Sequence, residues 1–204
     1  MGASPGPGVD RRERIRLAAV DLFAERGFRG TTIRAIADRA EVDPALVMHH
    51  YGAKDRIFSL VIRESMRPES FLPDVLAGSE EKLGRAFLRA FLVRWEDPAI
   101  RPLLLGVFRS SMEHADASRM FREVVSGEVL LPLAVRLSAP DSHLRAALVG
   151  TLVVGLVTAR YVVCASPIAE LALDDVVGLF GDYVDQMLSG KPAVDGAGDD
   201  APAG

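Results

Sequence analysis

From Arg11 to Leu188 apolar residues recur at three- and four-residue spacing, and they almost nowhere alternate with polar ones. That period belongs to the helix and not to the strand, so the chain is expected to be all-α. Ile15, Ala18, Ala19, Leu22 and Phe23 form a first stripe, and Gly27 follows as a natural stop. Ile33, Ile36, Ala37 and Ala40 form a second, shorter stripe, with Thr31 or Thr32 able to cap its start. Asp43-Pro44 reads as a cap followed by proline at the first helical position. Ile57, Phe58, Val61 and Ile62 mark a further helix that should end before Pro68. Beyond Pro73 the helices lengthen, over 79–96, 99–113, 117–137, 141–164 and 168–188. Their separators are Asp97-Pro98, His114–Ala117, Ala139-Pro140 and Ser166-Pro167.

Composition removes several alternatives. With 49% hydrophobic and 25% charged residues, a wholly disordered chain is excluded. Residues 1–10 and 189–204 are Gly/Pro-rich and short of apolar surface, so they are expected as disordered tails. The lone cysteine, Cys164, excludes a disulfide framework and a Cys-rich zinc site, and is expected as a small buried hydrophobe. Met1–Gly8 has no apolar run of the signal-peptide kind, and a cytoplasmic location is expected. The uncharged run Ala146–Ala159 is 14 residues between two arginines, where a spanning helix wants about 20. It reads as a buried helix, with no membrane involved. Residues 1–67 hold 12 basic and 9 acidic side chains, and residues 68–204 hold 12 and 19. A basic first third on an acidic remainder fits a small module that meets a polyanion.

The informative stretch is Thr31–Phe58. A short helix at about 32–40, a three-residue turn and a second short helix over 44–50 fit a helix-turn-helix. In that unit the first helix braces the second, whose polar face enters the major groove of DNA. Val42 and Val47 point back to the core, which leaves Pro44, Ala45, Leu46, Met48, His49 and His50 around the rest of the second helix.

These residues resemble the DNA-binding domain of the TetR family of bacterial transcriptional regulators. The matching positions are Phe23, Gly27, Phe28, Thr31, Thr32, Ile33, Ile36, Ala37, Ala40, Val42, His50 and Lys54, within a resemblance that covers residues 11–67. Three departures stand out: Glu41 where the family has glycine in the turn, Met48 where it has tyrosine, and Tyr51 where it has phenylalanine. The resemblance implies a three-helix DNA-binding domain over 11–67 and a larger helical effector-binding and dimerisation domain over 68–188. It implies phosphate contacts from Thr32 and Lys54, base or phosphate contacts from His49 and His50, and a base or phosphate contact from Arg34. A homodimer on a double-stranded, palindromic operator, released by a small-molecule effector, is the expected repressor mechanism.

In the second part, Phe87, Phe91, Trp95, Phe108, Met112, Met120, Phe121 and Tyr161 are candidates for an effector pocket, and Arg109 is a candidate polar anchor. Glu113, His114, Arg145 and Arg160 are further polar candidates, with surface or inter-helix pairing as the default. Small residues at Ala147, Thr151, Gly155 and Thr158 leave a flat stripe where a second helix can approach. With Val177, Phe180, Gly181 and Val184 on the last helix, they are expected to form the dimer contact. Glu113-His114-x-Asp116 lacks the paired histidines of a helical metal site, and neither a metal nor a cofactor is expected. No Gly-x-Ser-x-Gly, His-Glu-x-x-His or phosphate loop occurs, so an enzyme is not expected. Two rival readings are an interaction adaptor that keeps this fold without reading DNA, and a small helical enzyme acting on an apolar ligand.

Overall fold

The computed structural model describes residues 10–137 and 139–189, and among these every regular element is helical. The expected tails lie outside the described residues, apart from Asp10 and Ser189.

The first four helices are α1 (Arg11–Gly30), α2 (Ile33–Ala40), α3 (Pro44–Tyr51) and α4 (Lys54–Met66). Each boundary has a local cause. Gly27 takes φ +65° and breaks the helical path of α1, and Phe28 is buried just after it. The rings of Phe23, Phe28 and Phe58 then meet at centroid distances of 4.9 to 6.4 Å. Thr31 is sealed beneath this corner, its hydroxyl 2.9 and 3.1 Å from the carbonyl oxygens of Gly27 and Leu22. Thr32 caps α2 by accepting from the Ala35 N–H, and Asp43 caps α3 by accepting from the Ala45 N–H. α4 ends at Met66, where Arg67 turns left-handed and Pro68 follows.

The later helices are α5 (Leu72–Ala77), α6 (Leu83–Glu96), α7 (Arg101–Glu113), α8 (Ala115–Val124), α9 (Leu131–Arg136), α10 (Ser142–Val157) and α11 (Leu173–Ser189). The single helix expected over 117–137 is interrupted by a π turn, Val125–Leu130. Pro132 has no N–H to offer the Glu128 carbonyl, so the ladder cannot continue in α register there. The helix expected over 141–164 leaves the α register at Thr158 and ends in a second π turn, Thr158–Val162. The helix expected from 168 begins at Leu173, with Asp174 and Asp175 in its first turn, where the helix dipole favours negative charge.

The helices group into two compact units. The first holds residues up to 71 together with 91–129. Here α7, assigned by sequence to the effector part, lies directly on α1. A Cβ at Gly106 would sit 2.7 Å from the Phe23 carbonyl oxygen, so glycine permits the approach. Arg16 bridges Glu13 at 2.5 Å and Glu64 at 2.7 Å, and its guanidinium holds the Glu13 carboxyl below its ordinary pKa. Arg94 donates to the Ser65 carbonyl at 3.1 Å, in the last turn of α4.

The second unit holds residues 72–90 and 130 onward. α6 and α11 cross closely. A Cβ at Gly84 would meet the Val184 backbone at 2.6 Å, and one at Gly181 would meet the Arg85 guanidinium at 2.9 Å. Arg85 pairs with Asp182 at 2.5 Å, and Arg89 with Asp174 at 2.7 Å. By length and composition the 21-residue stretch Ser142–Val162 could cross a membrane, but its two arginines are buried against protein. Arg145 pairs with Asp141 at 2.7 Å and donates to the Leu188 carbonyl, and Arg160 donates to the Ile168 carbonyl at 2.7 Å. Cys164, expected to be buried, is exposed, because the chain has left the helix by that point.

Candidate nucleic-acid interface

α3 is a short helix with one buried anchor. Val47 is fully buried, and Val42 in the preceding turn is half-buried. Pro44, Ala45, Met48, His49 and His50 are exposed, with Met48 48% accessible. Leu46, expected among the outward residues, is half-buried, since it lies next to Val47 on the side that meets the core. His49 and His50 sit edge to face at 5.4 Å, so both imidazoles occupy the last turn of the helix.

The turn before α3 is a Schellman closure. The Val42 N–H donates to the Ala37 carbonyl at 3.0 Å and the Glu41 N–H to the Asp38 carbonyl at 3.3 Å. Glu41 sits between them at φ 54°, ψ 50°, the left-handed conformation that favours glycine. Arg14 approaches its carboxylate at 3.9 Å. α2 is tied to α1 by a two-pronged pair, Arg39 to Glu25 at 2.7 and 2.8 Å. That pairing lowers the Glu25 pKa. These ties brace α2, and α2 in turn braces α3.

The phosphate candidates fall at two helix starts. Thr32 is exposed at the first turn of α2, and Arg34 is exposed two residues on. Lys54 is half-buried at the start of α4, and its ammonium is already engaged. Nζ donates to the Phe28 carbonyl at 3.0 Å and lies 4.1 Å from the centre of the Phe28 ring. An ammonium carries three donors, so others remain for a phosphate, but the side chain has a structural task as well. Tyr51, the departure from phenylalanine, donates its hydroxyl to the Arg12 carbonyl at 2.8 Å, joining the end of α3 to the start of α1. Burial raises its pKa.

Two basic residues join this face that sequence reasoning did not single out. A groove of about 530 Å³ at the end of α3 is lined there by Arg12, Met48, His49, His50 and Arg56, and farther along by Asp55, Arg63, Arg119 and Glu123 of α4 and α8. Arg56 crosses over Gly52, where a Cβ would stand 3.2 Å from its Cδ. The signal in sequence was the position of Arg56 in the first turn of the helix that Lys54 begins.

The effector candidates divide. Phe91, Trp95, Phe108 and Met120 are buried in the first unit, with Phe121 half-buried. Trp95 meets Phe108, and Phe108 meets Phe121, edge to face at 6.2 Å each. Phe87, buried, and Tyr161, half-buried, belong to the second unit. Arg109 and Met112 do not join the aromatic cluster. Arg109 is exposed, a quarter-turn round α7 from Phe108, and Met112 is 58% exposed in the helix's last turn.

The expected dimer residues divide likewise. Ala147, Thr151 and Gly155 are exposed on α10, and Leu144, Leu148 and Val154 are exposed beside them. Thr158 and Phe180 are half-buried. Val177, Gly181 and Val184 are buried inside the protomer, Gly181 and Val184 at the α6 crossing, so they do not form an outer face. The exposed side of α11 is instead Gly178, Leu179, Asp182 and Tyr183.

Residues 15–61 match the family described as bacterial regulatory proteins, tetR family, and residues 81–188 match the tetracyclin repressor-like C-terminal domain. A curated HTH-type transcriptional repressor of Mycobacterium tuberculosis is 35% identical over 102 residues, covering 42% of this chain and 54% of the relative. The chain thus spans about half the length of the curated relatives it matches. A solved TetR-family regulator from Streptomyces coelicolor superposes with a TM-score of 0.67 at 31% identity, covering 92% of this chain and 99% of that one. FadR from Bacillus subtilis, solved with stearoyl-CoA, superposes with a TM-score of 0.65 at 18% identity, over 88% and 98% of the two chains, and shares the fold.

Proposed function

Because the chain belongs to the TetR family of bacterial transcriptional regulators, we propose that it reads double-stranded DNA through α3 and acts as a repressor. The observation that carries this reading is the exposed face of α3. It presents Pro44, Ala45, Met48, His49 and His50 outward on a helix anchored by Val47 and capped by Asp43. Short, capped and braced helices of this kind enter the major groove and set their exposed side chains against base edges. Thr32, Arg34, Lys54, Arg12 and Arg56 surround that face and supply backbone contacts, which set position and salt dependence but carry no sequence. A cytoplasmic location belongs to this reading.

The working unit is a homodimer, whose contact runs through Leu144, Leu148, Thr151 and Gly155 on α10 and Leu179 and Tyr183 on α11. An apolar small-molecule effector near Trp95, Phe108 and Phe121 favours a dimer with another separation of its two α3 helices. No enzymatic step belongs to this reading. A gel shift with the DNA upstream of the chain's own gene and its neighbours is the direct test. Retarded bands that survive competitor DNA are expected, and binding that any competitor abolishes equally would reject sequence reading.

A further inference from the structure

Phe28 is gripped at three points, and one grip comes from α7. Its N–H donates to Ser110 Oγ at 2.8 Å, a buried bond between residues 82 apart in sequence. Its carbonyl accepts from Lys54 Nζ, and its ring packs between Phe23 and Phe58. Ser110 is 2% exposed and donates its own hydroxyl proton to the Gly106 carbonyl at 2.7 Å, which leaves the oxygen lone pairs for Phe28. The corner it holds is Gly27, where a Cβ would stand 2.9 Å from the same oxygen. α2 and α3 follow directly from that corner, and Lys54 returns to it from their far end.

α7 has a second face. Phe108 stands two residues before Ser110, about 200° away around the helix, and meets Trp95 and Phe121. One helix therefore touches the aromatic cluster on one side and the root of the helix-turn-helix on the other. Close-packed helices shift as rigid bodies, because their interfaces do not deform continuously.

We propose that Ser110 is the positioning residue through which α7 holds the α1 corner and sets the pose of α3. The inference rests on the reading that α3 binds DNA. A small shift of α7 along its axis alters one 2.8 Å bond, and the Gly27–Phe28 corner passes the change to the segment that follows.

The test uses the full chain, wild type beside Ser110→Ala. Wild type first enriches a duplex from a random pool, and fluorescence anisotropy then measures both proteins on that duplex and on a scrambled one. The variant is expected to bind the enriched duplex about tenfold more weakly, and the scrambled one within about twofold, with equal salt slopes. A purely structural loss would weaken both together. An unchanged ratio in a folded variant overturns the proposal. If the variant does not fold, wild-type amide exchange decides. The Phe28 amide is expected to exchange as slowly as that of Phe23, and to shift with the enriched duplex but not with the scrambled one. Fast exchange, or the same shift with both, overturns it. A wild type that enriches no duplex rejects the DNA reading itself, and this proposal with it.

Discussion

Glycine at position 41 should make the protein more stable than alanine there. Glu41 occupies the left-handed position of the Schellman closure at the end of α2, at φ 54°. An L-residue with a Cβ costs about 1–2 kcal/mol there relative to glycine. Glycine gives back about 0.4–1 kcal/mol through the greater freedom of its unfolded chain. The net is about 0.5–1 kcal/mol in favour of glycine over alanine, and the comparison with alanine is the cleaner one. Both variants lose the exposed Arg14 pairing, itself worth about 0–1 kcal/mol, so that contribution cancels. At about 2–4 °C per kcal/mol for a chain of this length, Glu41→Gly should melt about 1–4 °C above Glu41→Ala. Thermal unfolding followed by circular dichroism, at one fixed protein concentration, reads the two midpoints. An alanine variant as stable as the glycine variant would refute the backbone argument.

Four further outcomes are expected. Lys54→Ala should lose about 1–2 kcal/mol of stability, because Nζ holds the Phe28 carbonyl and ring, and should make the salt slope of DNA binding shallower by about one; an unchanged slope leaves Lys54 a structural residue. Gly155→Arg should fold, since a Cβ there meets nothing within 4 Å, yet light scattering should find a monomer, because an unpaired charge buried in an apolar contact costs on the order of several kcal/mol. Asp141 is held below its ordinary pKa of 3.8 by its bond to Arg145, so its contribution is present above pH 3.8 and is lost as pH falls through the lower folded value; acid unfolding of Asp141→Asn should lack that part of the decline. Met48→Tyr should tighten binding to operator and scrambled duplexes alike, by about tenfold if one phosphate hydrogen bond worth about 1.4 kcal/mol is gained.

The first four helices were largely legible because their signals are local. Thr32, Asp43-Pro44, Gly27 and Pro68 act within a few residues of themselves, and the helices they delimit stand where periodicity put them. Even the strain at Glu41 was readable, as a misfit in a turn that wants glycine. The later helices were found apart from α5, but not their interruptions. The π turn before Pro132 depends on a single absent donor, and an apolar stripe continues across it. Faces were harder still. Periodicity finds the buried side of α11, but does not say whether the protomer's own α6 or a second chain covers it. Gly84 and Gly181 answer that for Gly181 and Val184, and neither glycine carries the answer alone. The Ser110–Phe28 bond joins residues 82 apart, and no pattern in sequence connects them.

The central claim is that α3 reads DNA as part of a symmetric pair. The most direct measurement is selection of random duplexes by the full chain, followed by footprinting of what is enriched. The account predicts an inverted repeat whose half-site centres lie about 10–10.5 base pairs apart, or a multiple of that turn. It also predicts that His49→Ala with His50→Ala abolishes the enrichment while keeping weak binding to any duplex. No enrichment by the wild type, an enriched site without twofold symmetry, or a double variant that selects the same site would contradict it.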